Sequence, residues 1–157
     1  MSKGIRNNWR VGVVAIGTLV ALSGCGMFHD RDDERGENRN AGMHHELTLT
    51  GANEVPAVAT SAAGSGWVTV HHDHSVTAKI TVSGMTPTAA HIHMAAAGSN
   101  GPVIVPFTKE GYDTFVAPAG AKLTDEQYEA LKAGKLYVNV HSAKSPSGEI
   151  RAQLKGW

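Results

Sequence analysis

The sequence predicts an all-β domain, an antiparallel sandwich or barrel with one short covering helix. Three observations carry that expectation. From His44 onward, apolar and polar residues alternate at period 2 through most of the chain. The alternating runs are brief and end at Gly, Pro, Asn, Asp or Ser, the residues that build turns. Only the stretch near residues 124–134 changes to helical spacing.

The elements follow in order. Leu47 and Leu49 alternate with Thr48 and Thr50 until Gly51 stops the run. Gly66 to His71 makes a second strand, with Val68 and Val70 on one face. His72-Asp73-His74-Ser75 is polar and short enough for a hairpin turn. Val76, Ala78, Ile80 and Val82 then alternate with Thr77, Lys79 and Thr81, and Gly84 ends that strand. Ala89–Met94 and Val103–Phe107 come next, separated by a loop of Gly, Ser, Asn and Pro. Leu136–His141 and Glu149–Lys155 complete the set. For the helix, Thr124 is a good N-cap with Gln127 at the capping-box spacing. Tyr128 and Leu131 give its apolar face, and Gly134 is placed to end it.

The chain has 157 residues, enough for one domain and its appendages. Lys3, Arg6 and Arg10 precede an apolar run from Val11 to Leu22, and then comes Leu22-Ser23-Gly24-Cys25. A basic start, an apolar stretch too short to span a ~30 Å bilayer core and small residues before the cut mark a secretory signal peptide. The Leu-Ser-Gly-Cys ending resembles the lipobox of bacterial lipoproteins, which implies that Cys25 is lipidated. The expected organisation is a signal peptide over 1–24, a lipidated Cys and charged tether over 25–43, and a β-domain over 44–157. The chain would then be anchored to a membrane through lipid, on the periplasmic or extracellular side. Gly26 after that Cys fits outer-membrane sorting in a Gram-negative host.

Without residues 1–24 the chain carries 11 basic against 14 acidic side chains, so nothing suggests a nucleic-acid partner. Acylation would use the one cysteine. Metal ligands must then be His, Asp, Glu or Met.

Strand direction decides where the histidines point, because successive side chains leave opposite faces. Leu136, Val138 and Val140 belong to the core, so Tyr137, Asn139 and His141 are expected to face away from it, toward solvent. Ile92 is the core residue of its strand, so His91 and His93 point out together. Glu149, Arg151 and Gln153 are likewise expected outside. If the His91/His93 strand neighbours that of His141, three imidazoles converge. Residues i and i+2 lie ~6.5–7 Å apart along a strand, so both can reach one ion. Met94 is a further candidate ligand, although parity turns it toward Ile92. His71, His72 and His74 on the hairpin form a second candidate group.

Three neutral imidazoles suit copper, zinc, iron or nickel, and copper binds tightest among divalent ions at such sites. Protons compete with the ion around the ordinary imidazole pKa of ~6.5, so affinity is expected to fall between pH ~7.5 and ~5.

Several segments now resemble a known family, the CHRD (chordin-type) domain. Leu49-Thr50-Gly51-Ala52-Asn53-Glu54-Val55-Pro56 looks like its opening motif. Ala89-Ala90-His91-Ile92-His93 and Gly101-Pro102-Val103 look like its central block. Tyr137-Val138-Asn139-Val140-His141 and Gly148-Glu149-Ile150-Arg151-Ala152-Gln153-Leu154 look like its closing block. Met94 and Ala152 stand where Gly is commoner. The resemblance spans about residues 46–155 and implies a Greek-key β-sandwich, immunoglobulin-like or superoxide-dismutase-like. The His-x-His also resembles the copper-ligand pair of copper/zinc superoxide dismutases.

Three functions are therefore expected to compete. One is a copper-dependent superoxide dismutase, with Arg151 attracting the anionic substrate. Another is copper sequestration or transfer without turnover, and the third is a metal-free interaction module. Hydrolysis is disfavoured, since Glu149 is the one carboxylate placed as a candidate general base.

Overall fold

The structure, a computed structural model, describes residues 42–157. The segments expected to be a signal peptide, a lipidated Cys25 and a tether lie, as far as residue 41, outside the described residues. Nine strands are formed: β1 (Met43–Thr50), β2 (Ala63–Val70), β3 (Val76–Ser83), β4 (Pro87–Met94), β5 (Val103–Pro106), β6 (Thr108–Glu110), β7 (Thr114–Val116), β8 (Leu136–Ser142) and β9 (Ile150–Leu154). One helix, α1 (Asp125–Lys132), interrupts them. All strand pairs are antiparallel, in the order β5-β4-β8-β9-β1-β2-β3-β7-β6.

The sheet curls into a nearly closed barrel with two halves. Between β9 and β1 the pairing is a single residue pair, Thr50 with Arg151. At the other end, β5 and β6 are the two edges of the sheet yet adjoin in sequence. Phe107 joins them, and its N–H donates to Ala90 O at 3.0 Å. One bent stretch thus ties both edges together. Leu49, Val68 and Ile80 from one half and Ile92, Val138 and Ile150 from the other form one apolar cluster.

Alternation is complete in β3, where Val76, Ala78, Ile80 and Val82 are buried and the residues between them exposed. The hairpin at His72–Ser75 forms as expected, with β2 and β3 in register from Val70–Val76 outward. The capping box is present: Gln127 N–H donates to Thr124 Oγ1 at 3.2 Å, and Thr124 N–H to Gln127 Oε1 at 3.0 Å. Leu131 of α1 is fully buried, and Tyr128 packs against the same core. Two strands, β6 and β7, are absent from the sequence reading. Each has three residues, too few to display a period of 2.

Strand β8 departs from the expectation in a way that matters for the site. Only His141 of its seven residues is not buried, so its outer face is covered as well as its inner one. No helix among the described residues is long and apolar enough to cross a membrane.

Candidate metal centre

β4 and β8 are neighbours, with His91 opposite Asn139 and His93 opposite Tyr137. The parity argument holds: Ile92, Val138 and Val140 enter the core, and His91, His93 and His141 share the opposite face. Their donor atoms lie within 4.8 Å of one another, the one three-residue group of this kind among the described residues. The ring centroids are 4.8 Å apart for His91–His141, 5.5 Å for His91–His93 and 6.1 Å for His93–His141.

Backbone carbonyls set the tautomers. A carbonyl oxygen can only accept, so the nitrogen beside it carries the proton. His93 Nδ1 donates to Gly101 O at 2.9 Å, and His141 Nδ1 donates to Pro146 O at 2.9 Å. Each neutral ring then presents a bare Nε2. That of His93 is buried with no hydrogen-bond partner. His141 Nε2 lies 2.9 Å from His91 Nδ1, which is therefore the donor. An orphaned buried lone pair and two carbonyl-oriented imidazoles are the arrangement that metal ligation requires. To ligate alongside His141, His91 must give up that hydrogen bond.

The site is half-buried rather than exposed, which corrects the expectation of a surface cluster. His93 is 7% exposed, and Tyr137, Asn139 and Arg151 on the same face are more buried still. The cover is the loop between β4 and β5. Arg151 lies 3.4 Å over the Tyr137 ring and donates to Ser99 O at 2.9 Å and Asn100 Oδ1 at 3.2 Å. Gly101 N–H donates to Tyr137 OH at 3.2 Å, and Gln153 Nε2 donates to Ala95 O at 3.0 Å. Tyr137 in turn stacks on His93, 4.8 Å between centroids and nearly parallel. The guanidinium thus clasps the loop whose Gly101 carbonyl orients His93.

Arg151 therefore does not face solvent beside the histidines, as anion attraction would require. It is 1% exposed and its donors are committed to the loop. Glu149 is also corrected from an outward residue to a buried one. Its carboxylate accepts from Thr60 Oγ1 at 2.7 Å and from Ser142 Oγ, and these bonds hold it below the usual carboxylate range. Ser142 Oγ also takes the Ser145 N–H, 3.1 Å away, so Glu149 braces the turn that supplies Pro146 O.

The remaining candidates fall elsewhere. Met94 packs against the apolar core, on the side parity gave it. The hairpin histidines do not gather into a three-donor group. His74, with φ 67°, stacks on Tyr128 at 4.1 Å and sets Nδ1 3.3 Å from Asp125 Oδ1. It ties the hairpin to α1, while His72 is exposed. One buried acid was missed. Glu54 is 7% exposed, with the Arg151 charge and the Asn139 side chain as neighbours.

Burial, reinforced by the charges of His141 and His93, pushes His91 down to about 4. His141 is also lowered, chiefly by burial and against the pull of Pro146 O. In the unfolded chain these rings protonate near ~6.5, so acid favours unfolding. The His91 contribution is whole above about 6.5 and is lost as pH falls toward about 4, and His141 adds to it in the same direction. Thermal melts of metal-free protein should show Tm dropping across that window, and His91→Gln should shallow the drop. Identical profiles for the two proteins would contradict the neutral cluster.

The fold and site together define an antiparallel, nearly closed β-domain that carries three converging imidazoles on its outer face. The chain belongs to the CHRD domain family, whose match covers residues 46–154. No curated protein and no solved structure matches the chain.

Proposed function

We propose that this protein binds copper through His91, His93 and His141. The observation that carries the reading is the buried, unpartnered Nε2 of His93 within a three-donor group. Burial lowers the basicity of His91 and His141, which favours the neutral form of imidazole that ligates metal. Copper leads the Irving–Williams order at nitrogen sites; zinc and iron are the lesser alternatives. Titration of metal-free protein with Cu(II), read by EPR, tests the reading. A single nitrogen-rich signal that saturates at one equivalent supports it.

Three protein ligands leave a coordination position open, the feature that separates catalytic from closed structural sites. That favours a very small substrate, and superoxide remains the candidate. Copper would supply the one-electron chemistry, while the chain's own part is to hold three imidazoles and exclude bulk water. With Arg151 withdrawn into the fold, no guanidinium among the described residues guides the anion, and sequestration without turnover becomes the stronger alternative. Superoxide consumption by the copper-loaded protein decides between them.

We also place the protein at a membrane, held by lipid on Cys25, in the periplasm or on the extracellular face. Support comes from the basic, apolar and Leu-Ser-Gly-Cys succession at the N-terminus. Cys25→Ser should move the protein from the membrane pellet to the soluble fraction, because the lipid on Cys25 is lost. A variant that stays in the pellet after a salt wash would contradict the anchor.

A further inference from the structure

Four buried side-chain atoms among the described residues lack a hydrogen-bond partner: His45 Nε2, His93 Nε2, Glu54 Oε1 and Asn139 Oδ1. His93 and Asn139 share the outer face of the β4–β8 pair, and Glu54 meets Asn139 beside Gly148. Asn139 sits opposite His91 across the β4–β8 pair and two residues before His141 on β8, all on one face. Side chains so related lie ~4.5–7 Å apart at Cβ. Glu54 reaches the same place from the segment after β1. A Cβ on Gly148 would come within 2.5 Å of Glu54 Oε1 and 2.6 Å of Asn139 Nδ2. The bare backbone there, at φ 133°, keeps that space open.

Each orphaned oxygen is an acceptor on a residue more than nine-tenths buried. The Asn139 side chain bears on the Glu54 carboxylate, yet neither Glu54 Oε1 nor Asn139 Oδ1 has a hydrogen-bond partner; leaving such groups unsatisfied costs about 1–3 kcal/mol each, so the pair calls for a donor. No carboxylate joins the three-histidine group, so Glu54 is not a direct ligand. We infer that Glu54 Oε1 and Asn139 Oδ1 form an outer-sphere acceptor subsite, which takes the hydrogens of a water bound to the ion at His91, His93 and His141. The inference rests on the three-histidine reading. Burial pushes the Glu54 carboxyl above the usual carboxylate range, opposed in part by the Arg151 charge that faces it from β9. Glu149 is turned away to Thr60 and Ser142.

Cobalt(II) is the probe, because its visible spectrum reports both occupancy and ionisation of a bound water. Wild type and Glu54→Gln are titrated with Co(II), and the loaded proteins are then titrated with base. A carboxylate beside the water opposes formation of hydroxide. Glu54→Gln should therefore keep the stoichiometry and lower the spectral midpoint by about one pH unit, the low end of neighbouring-charge effects. An unchanged midpoint at full occupancy overturns the subsite and leaves the histidine centre standing. No Co(II) binding by wild type removes the centre and the subsite together. Should Glu54→Gln fail to fold, a crystal structure of zinc-loaded wild type serves instead. A water shared by Glu54 Oε1 and Asn139 Oδ1 supports the subsite, and its absence overturns it.

Discussion

Replacing Val140 with Asp should unfold the domain. Val140 has no exposed surface, and it lies in the middle of β8 between Ala90 and Ile150, both fully buried. The substitution removes an apolar side chain whose burial stabilises by about 1.5–3 kcal/mol. It also strands a carboxylate with no cation on the core side of the sheet. The second effect is the larger, since an unpaired buried charge costs several kcal/mol even after relaxation. Together they approach the ~5–15 kcal/mol by which domains of this size are stable. Thr77→Asp on the exposed face of β3 is the comparison, with an expected change within about 0.5 kcal/mol. Denaturant melts of the two variants check this. Equal stabilities would mean that the strand faces are misassigned, and the direction of His141 would fall with them.

His93→Ala should abolish tight metal binding. Its Nε2 is buried without a hydrogen-bond partner, so the free protein holds it ready for an ion. The other pair is occupied in the His91–His141 hydrogen bond. Loss of His93 leaves two imidazoles that must break their own contact in order to ligate. Outer-shell changes at metal sites cost about 10–100-fold in affinity, and loss of this ligand should exceed that range. Arg151→Met should fall within it, because the loop bearing Gly101 O would be released while every ligand stays. Competition titrations against a chelator of known affinity measure both. If Arg151→Met weakened binding as much as His93→Ala, the guanidinium would be acting at the ion rather than through the loop.

The sheet was legible because its code is local. Alternation in β3 and β8 and the turn residues between strands place each side chain on one face or the other, whatever the distant contacts. The same logic brought His91, His93 and His141 together. What parity cannot tell is whether a face meets water. Tyr137, Asn139 and Arg151 read as outward residues and are outward from the core, yet a loop without periodicity covers them. Its anchors are backbone carbonyls of Ser99 and Gly101, which no side-chain pattern reveals. For the same reason an Asp at Asn139, harmless on an open face, would here set a second buried carboxylate beside Glu54. Glu54 was within a motif in view from the start, but its neighbours come from β8 and β9 about a hundred residues along the chain. The hairpin histidines erred in the other direction. His74 adopts a left-handed backbone and turns its ring to Tyr128, so adjacency in sequence became divergence in space.

Copper content of the full-length protein, measured by elemental analysis and EPR before and after joint substitution of His91, His93 and His141 by Ala, tests the central claim most directly. The account predicts one tightly held equivalent in the wild type and none in the triple variant, with the fold retained by circular dichroism. One tight equivalent surviving in the triple variant would place the copper elsewhere and contradict it.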